Sequence, residues 1–100
     1  MAETTFSVIW TEQSLSDSQT IKNYLQYYFS QKEIDNYYRL LESFEKIVLM
    51  FPKLYPQTNK SKEIRRAVLS KQLCVFYKIT KETIMVVAIL DNRMSDSKWP

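Results

Sequence analysis

The chain of 100 residues has no histidine, no glycine and a single cysteine. Without histidine, imidazole chemistry is excluded, and with one cysteine a structural zinc site is not expected. Without glycine, the phosphate-binding loop, the dinucleotide-binding fingerprint and the nucleophile elbow are excluded, because each requires glycine backbone geometry. Any chemistry must therefore come from Lys, Arg, Tyr, Ser, Thr or carboxylate side chains, and we expect no metal and no cofactor.

Other absences bear on where in the cell the protein is expected. A single cysteine cannot form an internal disulfide, which fits a reducing cytosol. No run of eighteen apolar residues predicts a membrane span, and the N-terminus lacks the basic segment and apolar stretch of a signal peptide. We therefore expect a cytoplasmic protein that does not bind membranes. With 45% hydrophobic residues, the length suits one domain over residues 1–100, with its core in about residues 6–94.

The charges are sorted along the chain. Residues 53–81 carry eight lysines and arginines against Glu63 alone, a net charge of +7, whereas residues 1–52 carry −3. The net charge of +3 for the whole chain hides this strongly basic segment. Eight cations with one counter-charge exceed what a solubility surface needs, so the segment predicts binding to an anion or an acidic partner.

The first half of the chain predicts a strand and a helical hairpin. The run Phe6–Trp10 alternates like a short strand. The stripe of Ile21, Tyr24, Leu25, Tyr28 and Phe29 has helical spacing, with Ser14, Ser16 or Asp17 as the expected N-cap. A capping-box sequence at Ser30-Gln31-Lys32-Glu33 opens a second helix, whose stripe comprises Ile34, Tyr37, Tyr38, Leu41, Phe44, Val48 and Phe51 and which Pro52 ends. We expect the two helices to lie antiparallel.

The last third predicts three strands. Runs at Glu63–Leu69, Leu73–Ile79 and Thr83–Leu90 are separated by short links, which permit only antiparallel neighbours. The expected fold class is therefore α+β: a strand, a helical hairpin and a three-stranded antiparallel meander, forming one sheet packed on two helices. Lys53 to Lys62 is expected to be a loop.

Strand alternation separates the candidate residues of the meander. Leu73, Val75, Tyr77 and Ile79 share one face, and Cys74, Phe76 and Lys78 share the other. Both faces are largely apolar, so the sequence leaves open which one meets the helices. Arg65 and Arg66 are adjacent and must point to opposite faces, so only one of them can join a site on the open face of the sheet.

These features together resemble the RelE/ParE superfamily of bacterial toxins. The resemblance is carried by the element order and by Val8-Ile9-Trp10, Ile64-Arg65-Arg66, Val75-Phe76-Tyr77-Lys78-Ile79 and Ile89-Leu90-Asp91-Asn92-Arg93, over roughly residues 6 to 94. It implies the toxin of a type II toxin–antitoxin system, with growth inhibition, plasmid stabilization, a neutralising antitoxin and an oligomeric state set by the antitoxin complex. RelE-like members cut messenger RNA on the ribosome, and ParE-like members poison DNA gyrase.

The residues that can be carried over favour the ParE-like branch. The RNA-cleaving branch uses basic residues on the first meander strand, which Arg65 and Arg66 can supply, and an arginine after the last strand, which Arg93 matches. It also uses an arginine where this chain has the neutral Cys74, and a proton-transferring aromatic residue where the available candidate is Trp99, whose indole does not exchange a proton usefully. The resemblance therefore implies a toxin that acts by binding, and enzymatic activity is left open.

The predicted target-binding residues are Arg65, Arg66, Lys78 and Arg93, with Lys78 the weaker candidate. If the chain cleaves RNA, the candidate catalytic residues are Tyr77, Arg65 and Arg93. The first functional reading is a gyrase-binding, ParE-like toxin. The alternatives are a ribosome-dependent messenger RNA endoribonuclease of the RelE type and a non-toxic relative that serves as an antitoxin-binding or co-repressor module.

Overall fold

The computed structural model describes residues 6–94. The elements in chain order are β1 (Ser7–Trp10), α1 (Glu12–Tyr28), α2 (Gln31–Met50), β2 (Arg65–Val68), β3 (Leu73–Thr80) and β4 (Thr83–Asp91). The predicted α+β class and the order of strand, helical hairpin and meander are confirmed. The assignment of residues 1–100 to one domain stays a prediction.

The four strands form one sheet in the order β1-β4-β3-β2. The meander strands are antiparallel, as the short links predict, whereas β1 lies parallel to β4, with Ser7 opposite Thr83 and Trp10 opposite Val86. A parallel pair requires a long connection, and the helical hairpin supplies most of it. The sheet therefore has its edges at β1 and β2.

Helix α1 begins about one turn before the predicted caps. Thr11 is its N-cap, and the Thr11 hydroxyl accepts a hydrogen bond from the Ser14 backbone N–H at 3.2 Å. Asp17, predicted as a cap, lies inside the helix, and its carboxylate accepts a hydrogen bond from the Ile89 N–H of β4 at 3.1 Å. The predicted caps Ser14, Ser16 and Asp17 were wrong, because Thr11 caps the helix and all three lie inside it.

Helix α2 begins and ends where the sequence predicts, but the predicted capping hydrogen bonds are not formed. Ser30 is the N-cap as predicted, but its side chain makes no capping hydrogen bond. The Glu33 carboxylate, expected to complete the capping box, instead accepts a hydrogen bond from Arg93 at 3.1 Å. The capping box is therefore wrong, because a tertiary ion pair uses its glutamate. Helix α2 ends at Met50, just before Pro52, as predicted.

The core lies between the helical hairpin and one face of the sheet. It contains Ile21 and Leu25 of α1, Ile34, Tyr37, Leu41, Phe44 and Val48 of α2, and Ala67, Leu73, Val75, Tyr77, Ile84, Val86 and Ile89 of the sheet. The predicted stripes were too wide, because Tyr28, Tyr38 and Phe51 are exposed. The sheet covers only the centre of each stripe, and the residues at its margins face solvent.

The packing also decides the question that alternation left open. Leu73, Val75 and Tyr77 face the helices, whereas Phe76 and Lys78 lie on the opposite, open face of the sheet. A bulge between Phe76 and Tyr77 adds one residue, Val87, to β4 between the partners of these two positions. Between residues 6 and 94, no helix is both long and apolar enough to cross a bilayer.

Candidate functional site

The two adjacent arginines of β2 lie on opposite faces of the sheet, as strand alternation predicts. Arg65 is paired with Tyr77 and Arg66 with Phe76 across the antiparallel ladder. Residues directly opposite in such a ladder project from the same face. Arg65 therefore belongs to the helix side of the sheet, and Arg66 belongs to the open face.

The Arg65 guanidinium is engaged with the backbone that follows α2. Its Nη1 donates to the Tyr55 carbonyl oxygen at 2.7 Å and to the Lys53 carbonyl oxygen at 3.3 Å. These bonds hold the guanidinium against the loop at the edge of the sheet, away from the open face. The structure thus gives Arg65 a role in positioning the loop.

A groove of about 590 Å³ lies on the open face of the sheet. We call it the open-face groove; it is lined by Ile64, Arg66, Cys74, Phe76, Leu90 and Asn92 of the sheet region and by the loop 56–61. Its floor is apolar, while the exposed Arg66 stands at its rim with Nη2 3.7 Å from the Cys74 Sγ. Such a groove can take an apolar side chain and place an anionic group against Arg66.

The loop that walls this groove is tied to β2 by several hydrogen bonds. The Arg66 N–H donates to the Pro56 carbonyl oxygen at 2.9 Å, and the Thr58 N–H donates to the Ile64 carbonyl oxygen at 2.8 Å. The Thr58 hydroxyl also donates to the Ser61 carbonyl oxygen at 2.7 Å. The segment is a loop, as predicted, and it folds back along β2 through one isolated bridge between Gln57 and Arg65. Its one sequence signal is the spacing of Thr58 and Ser61, hydroxyl residues that stabilise turns.

Lys78 lies on the same face as Arg66, nearer the other end of β3. It is paired with Met85 across the ladder and is partly buried. Its flexible stem can run along the sheet while the ammonium reaches solvent. Arg66 and Lys78 are therefore the two predicted target-binding residues that the structure brings to one face.

Arg93 lies beyond β4 and is bound to the helical hairpin. Its guanidinium donates to Asp91 Oδ2 at 2.7 Å, to Asp91 Oδ1 at 3.0 Å and to Glu33 Oε2 at 3.1 Å, and it stacks 5.2 Å from the centre of the Phe29 ring. These hydrogen bonds, led by that to Asp91, raise the pKa of Arg93. The Tyr24 hydroxyl donates to the Arg93 carbonyl oxygen. The structure does not bring Arg93 together with Arg65 or Arg66.

The Tyr77 side chain is fully buried on the core face. Its hydroxyl donates to the Pro52 carbonyl oxygen at 2.7 Å, and its ring packs edge-on against Phe44 and Tyr55. Burial raises the pKa of Tyr77 to about 12, against a smaller lowering effect of Arg65. Of the three candidate catalytic residues, Arg65 and Tyr77 are therefore neighbours on the helix side of the sheet, both bound to carbonyl oxygens of the segment that follows α2, whereas Arg93 lies apart at the helical hairpin. Trp99 lies outside the described residues.

Two comparisons by sequence find no match: no family model and no curated protein is similar to the chain at a significant level. Solved structures do match. A chain of the chromosomal ParDE TA system from P. aeruginosa has a TM-score of 0.74 and 11% identity, over 89% of this chain and 98% of that one. YafQ in the E. coli DinJ-YafQ toxin-antitoxin complex has a TM-score of 0.52 and 16% identity, over 89% of this chain and 94% of that one.

A second YafQ structure, from E. coli strain BL21(DE3), gives a similar result, with a TM-score of 0.51 and 16% identity over 88% of this chain and 94% of that one. These neighbours are toxins of toxin–antitoxin systems in the RelE/ParE superfamily. At such low identity the agreement concerns the backbone, and it extends over nearly all of the described residues. The fold that the sequence pattern predicted is confirmed: this chain has the fold of the RelE/ParE toxins.

Proposed function

We propose that this chain is the toxin of a bacterial type II toxin–antitoxin system, and that it acts by binding its target through the open-face groove. The observation that supports this most strongly is a set of cations without internal counter-charges around that groove. Among residues 6–94, the ion pairs are those that Arg93 makes with Asp91 and Glu33. Of the eight cations of residues 53–81, Arg65 is bound to loop carbonyl oxygens, and the other seven remain available to a partner.

The groove suits a protein partner that presents an acidic group beside an apolar one. Phe76 and Leu90 supply an apolar floor, while Arg66 and Lys60 supply charge at the lining. Unpaired surface charges accelerate encounter with an oppositely charged partner, and buried apolar contacts prolong the complex. A guanidinium also binds carboxylates in a two-point geometry that lysine does not reproduce, so Arg66 is the residue of the groove on which we expect binding to depend most.

Binding fits the position of the tyrosine better than phosphodiester cleavage does. Cleavage would require a group that activates the 2′-hydroxyl and a group that protonates the leaving oxygen. Tyr77, the candidate proton donor on β3, points into the core, and its hydroxyl donates its hydrogen bond to the Pro52 carbonyl oxygen. Arg66 and Lys78 on the open face can stabilise negative charge through charge-assisted hydrogen bonds.

DNA gyrase is the target that we propose. The fold similarity is greater to the chain from the ParDE system, at a TM-score of 0.74, than to YafQ, at 0.52. The resemblance in the sequence also points to the ParE-like branch. On this proposal the chain arrests growth by holding gyrase through protein–protein contacts in the cytoplasm.

The partner that silences the toxin is a cognate antitoxin, which sets the oligomeric state of the complex. An acidic and apolar segment of that protein would cover the open-face groove and neutralise part of the basic segment. Co-expression with the product of the adjacent reading frame, followed by purification at moderate salt, should yield a stable complex. Separation of the two proteins on the column would contradict this part of the proposal.

The target is tested by inducing the chain in bacterial cells that carry either a DNA-damage reporter or a translation reporter. A gyrase poison should activate the first reporter before translation falls, and purified chain should inhibit supercoiling by purified gyrase. Arg66→Ala should weaken both effects. Lys71→Ala is the matched control, because it removes the same charge from the exposed β2–β3 turn outside the groove lining.

An early loss of translation, with new messenger RNA ends at codon-spaced positions, would support the endoribonuclease alternative. A complex with the antitoxin in the absence of any growth arrest would support the non-toxic binding module. Primer extension and growth curves distinguish the three outcomes.

A further inference from the structure

A second groove lies on the flank of the helical hairpin, beside β1. It has a volume of about 370 Å³, and we call it the hairpin groove. It is lined by residues of β1 and of both helices, namely Trp10, Leu15, Ser18, Tyr38, Leu41, Glu42 and Glu45. Leu15 and Tyr38 are 56% and 45% exposed, so the apolar part of the groove is accessible to a partner. Its volume falls within the range of about 300–1,000 Å³ that ligand pockets span.

The two aromatic side chains of the hairpin groove are held in place by their neighbours. Trp10 Nε1 donates to Glu45 Oε2 at 2.8 Å and so joins β1 to α2. The Tyr38 ring packs edge-on against the buried Tyr37 ring, with 5.2 Å between the ring centres. The Tyr37 hydroxyl is in turn hydrogen-bonded to the Ser18 hydroxyl of α1 at 2.8 Å. Because both rings are already positioned, the conformational cost of binding a partner is lowered.

The charge of the hairpin groove is negative. Its lining contains two carboxylates, of the exposed Glu42 and the half-buried Glu45, and no cation among the described residues. Neither carboxylate forms an ion pair in the described part of the chain. Two cations follow nearby on α2, but Arg39 donates to the Asn36 side chain and Lys46 is not paired with either glutamate. The charges of both carboxylates are therefore available to a cationic group.

An arginine side chain is complementary to this combination of aromatic rings and carboxylates. Its planar guanidinium stacks on aromatic faces and also donates two parallel hydrogen bonds to a carboxylate, and its aliphatic stem covers apolar surface. An acidic segment, such as we expect to cover the open-face groove, would be repelled by Glu42 and Glu45. The two grooves therefore select partners of opposite charge.

We propose that the hairpin groove is the docking site for an arginine-bearing segment of a protein partner. The guanidinium stacks on the ring of Trp10 or Tyr38. Glu42 and Glu45 accept its hydrogen bonds, while an apolar side chain next to the arginine contacts Leu15. Because the hairpin groove is separate from the open-face groove and opposite to it in charge, this docking does not depend on the proposed function.

The direct test uses two short synthetic peptides without tryptophan or tyrosine. They are identical except that the central residue, flanked by leucines, is either arginine or its neutral isostere citrulline. A Trp99→Phe chain retains Trp10 as its single tryptophan, so the fluorescence of Trp10 reports binding at the groove itself. The arginine peptide should bind with a dissociation constant at least about tenfold lower than that of the citrulline peptide, because the charge-assisted contacts are lost in the latter.

Variants of the groove test which groups hold the arginine. Glu42→Gln/Glu45→Gln removes both charges but keeps an acceptor for the Trp10 N–H, and it should abolish the preference for the arginine peptide. Tyr38→Leu keeps an apolar side chain and should weaken binding about two- to fivefold through the lost cation–π contact. Glu63→Gln is the matched control for Glu42→Gln, because it removes the same charge from an exposed position outside the groove lining. It should leave binding unchanged, and thermal unfolding should be the same for all variants.

Three results would overturn the proposal. The first is equal binding of the arginine and citrulline peptides, or unchanged binding by a folded Glu42→Gln/Glu45→Gln variant. The second is a concentration-dependent dimer that this double variant abolishes, seen by sedimentation without peptide binding, which would assign the groove to the basic segment of a second copy. The third is binding of free arginine as tightly as the peptide, which would assign the groove to a small guanidino compound.

Discussion

Arg66 and Arg93 are two arginines at the ends of meander strands, but they lie in opposite electrostatic environments. Arg93 has two carboxylates and an aromatic ring around its guanidinium, and its side chain is 23% exposed. Arg66 is exposed at the open-face groove, where the Cys74 thiol is the one hydrogen-bonding partner of its guanidinium within the described residues. A basic residue of the meander is therefore either a structural counter-ion or a free contact, according to whether the fold supplies an acid beside it.

The largest expected effect is on the free energy of unfolding, which should differ between alanine variants of the two arginines. Arg93→Ala leaves the fully buried Asp91 carboxylate without its cation, and breaking such a pair costs about 3 kcal/mol of unfolding free energy. Arg66→Ala removes only a weak contact with the neutral Cys74 thiol, so the loss should stay within about 0.5 kcal/mol. Urea denaturation of both variants measures the difference. Equal stabilities would show that Arg93 is not a structural counter-ion.

The next effect is on the potency of growth arrest, which should depend on the cations of the open face. Arg66→Ala should lower the potency of growth arrest about tenfold or more, because a charge-assisted contact is worth about 1.5–3 kcal/mol. Lys78→Ala should have a smaller effect, since a flexible ammonium makes a less directional contact. Titrated induction measures potency, with Lys71→Ala as the charge-matched control. Full potency in a folded Arg66→Ala/Lys78→Ala double variant would place the toxic surface elsewhere.

A smaller effect concerns Tyr77, which lies on the core side of the strand that also carries Lys78. Tyr77→Phe removes the hydrogen bond from the buried tyrosine to the Pro52 carbonyl, so the unfolding free energy should fall by about 1–2 kcal/mol. Growth arrest should persist, because the hydroxyl does not reach the open face. Denaturation and primer extension in induced cells check both points. Messenger RNA ends that vanish in this variant would make Tyr77 a proton donor and refute the binding proposal.

The smallest expected effect is a loss of stability in alkali, which depends on the two buried tyrosines Tyr37 and Tyr77. Burial raises the pKa of Tyr37 and of Tyr77 from 10.0 to about 12. Because the folded state holds these protons more tightly, the stabilisation is complete below pH 10.0 and is lost as pH rises to about 12. A titration followed by tyrosinate absorbance should show a late phase that coincides with unfolding. In Tyr77→Phe that phase should shrink, and an unchanged phase would contradict the assignment.

Most of the fold was predicted from local sequence patterns, namely helical periodicity and strand alternation. The apolar spacing in α2 placed Ile34, Tyr37, Leu41, Phe44 and Val48 in the core, because helical periodicity alone brings them to one side. Alternation similarly separated Arg65 from Arg66. The errors lie where a side chain bonds to a distant element: Asp17 holds β4 and Glu33 holds Arg93, so neither performs its predicted capping role.

The candidate site was predicted less well, for the same physical reason. Sequence identified the basic segment and both arginines of β2, but not that loop 56–61 folds back to wall a groove beside Arg66. It also could not show that Asp91 and Glu33 neutralise Arg93, since residues 33 and 93 meet only when β4 packs beside the hairpin. Each of these outcomes depends on contacts between segments that are far apart in the chain.

The sequence by itself therefore determined the element order, the separation of charge and the lack of imidazole and glycine-dependent chemistry, since these follow from composition and local spacing. Only the tertiary structure decided that β1 pairs in parallel with β4 and that Tyr77 points into the core. It also decided which cations are free, because a charge is neutralised by whatever acid the packed chain brings within a few ångströms, and no local pattern specifies that neighbour.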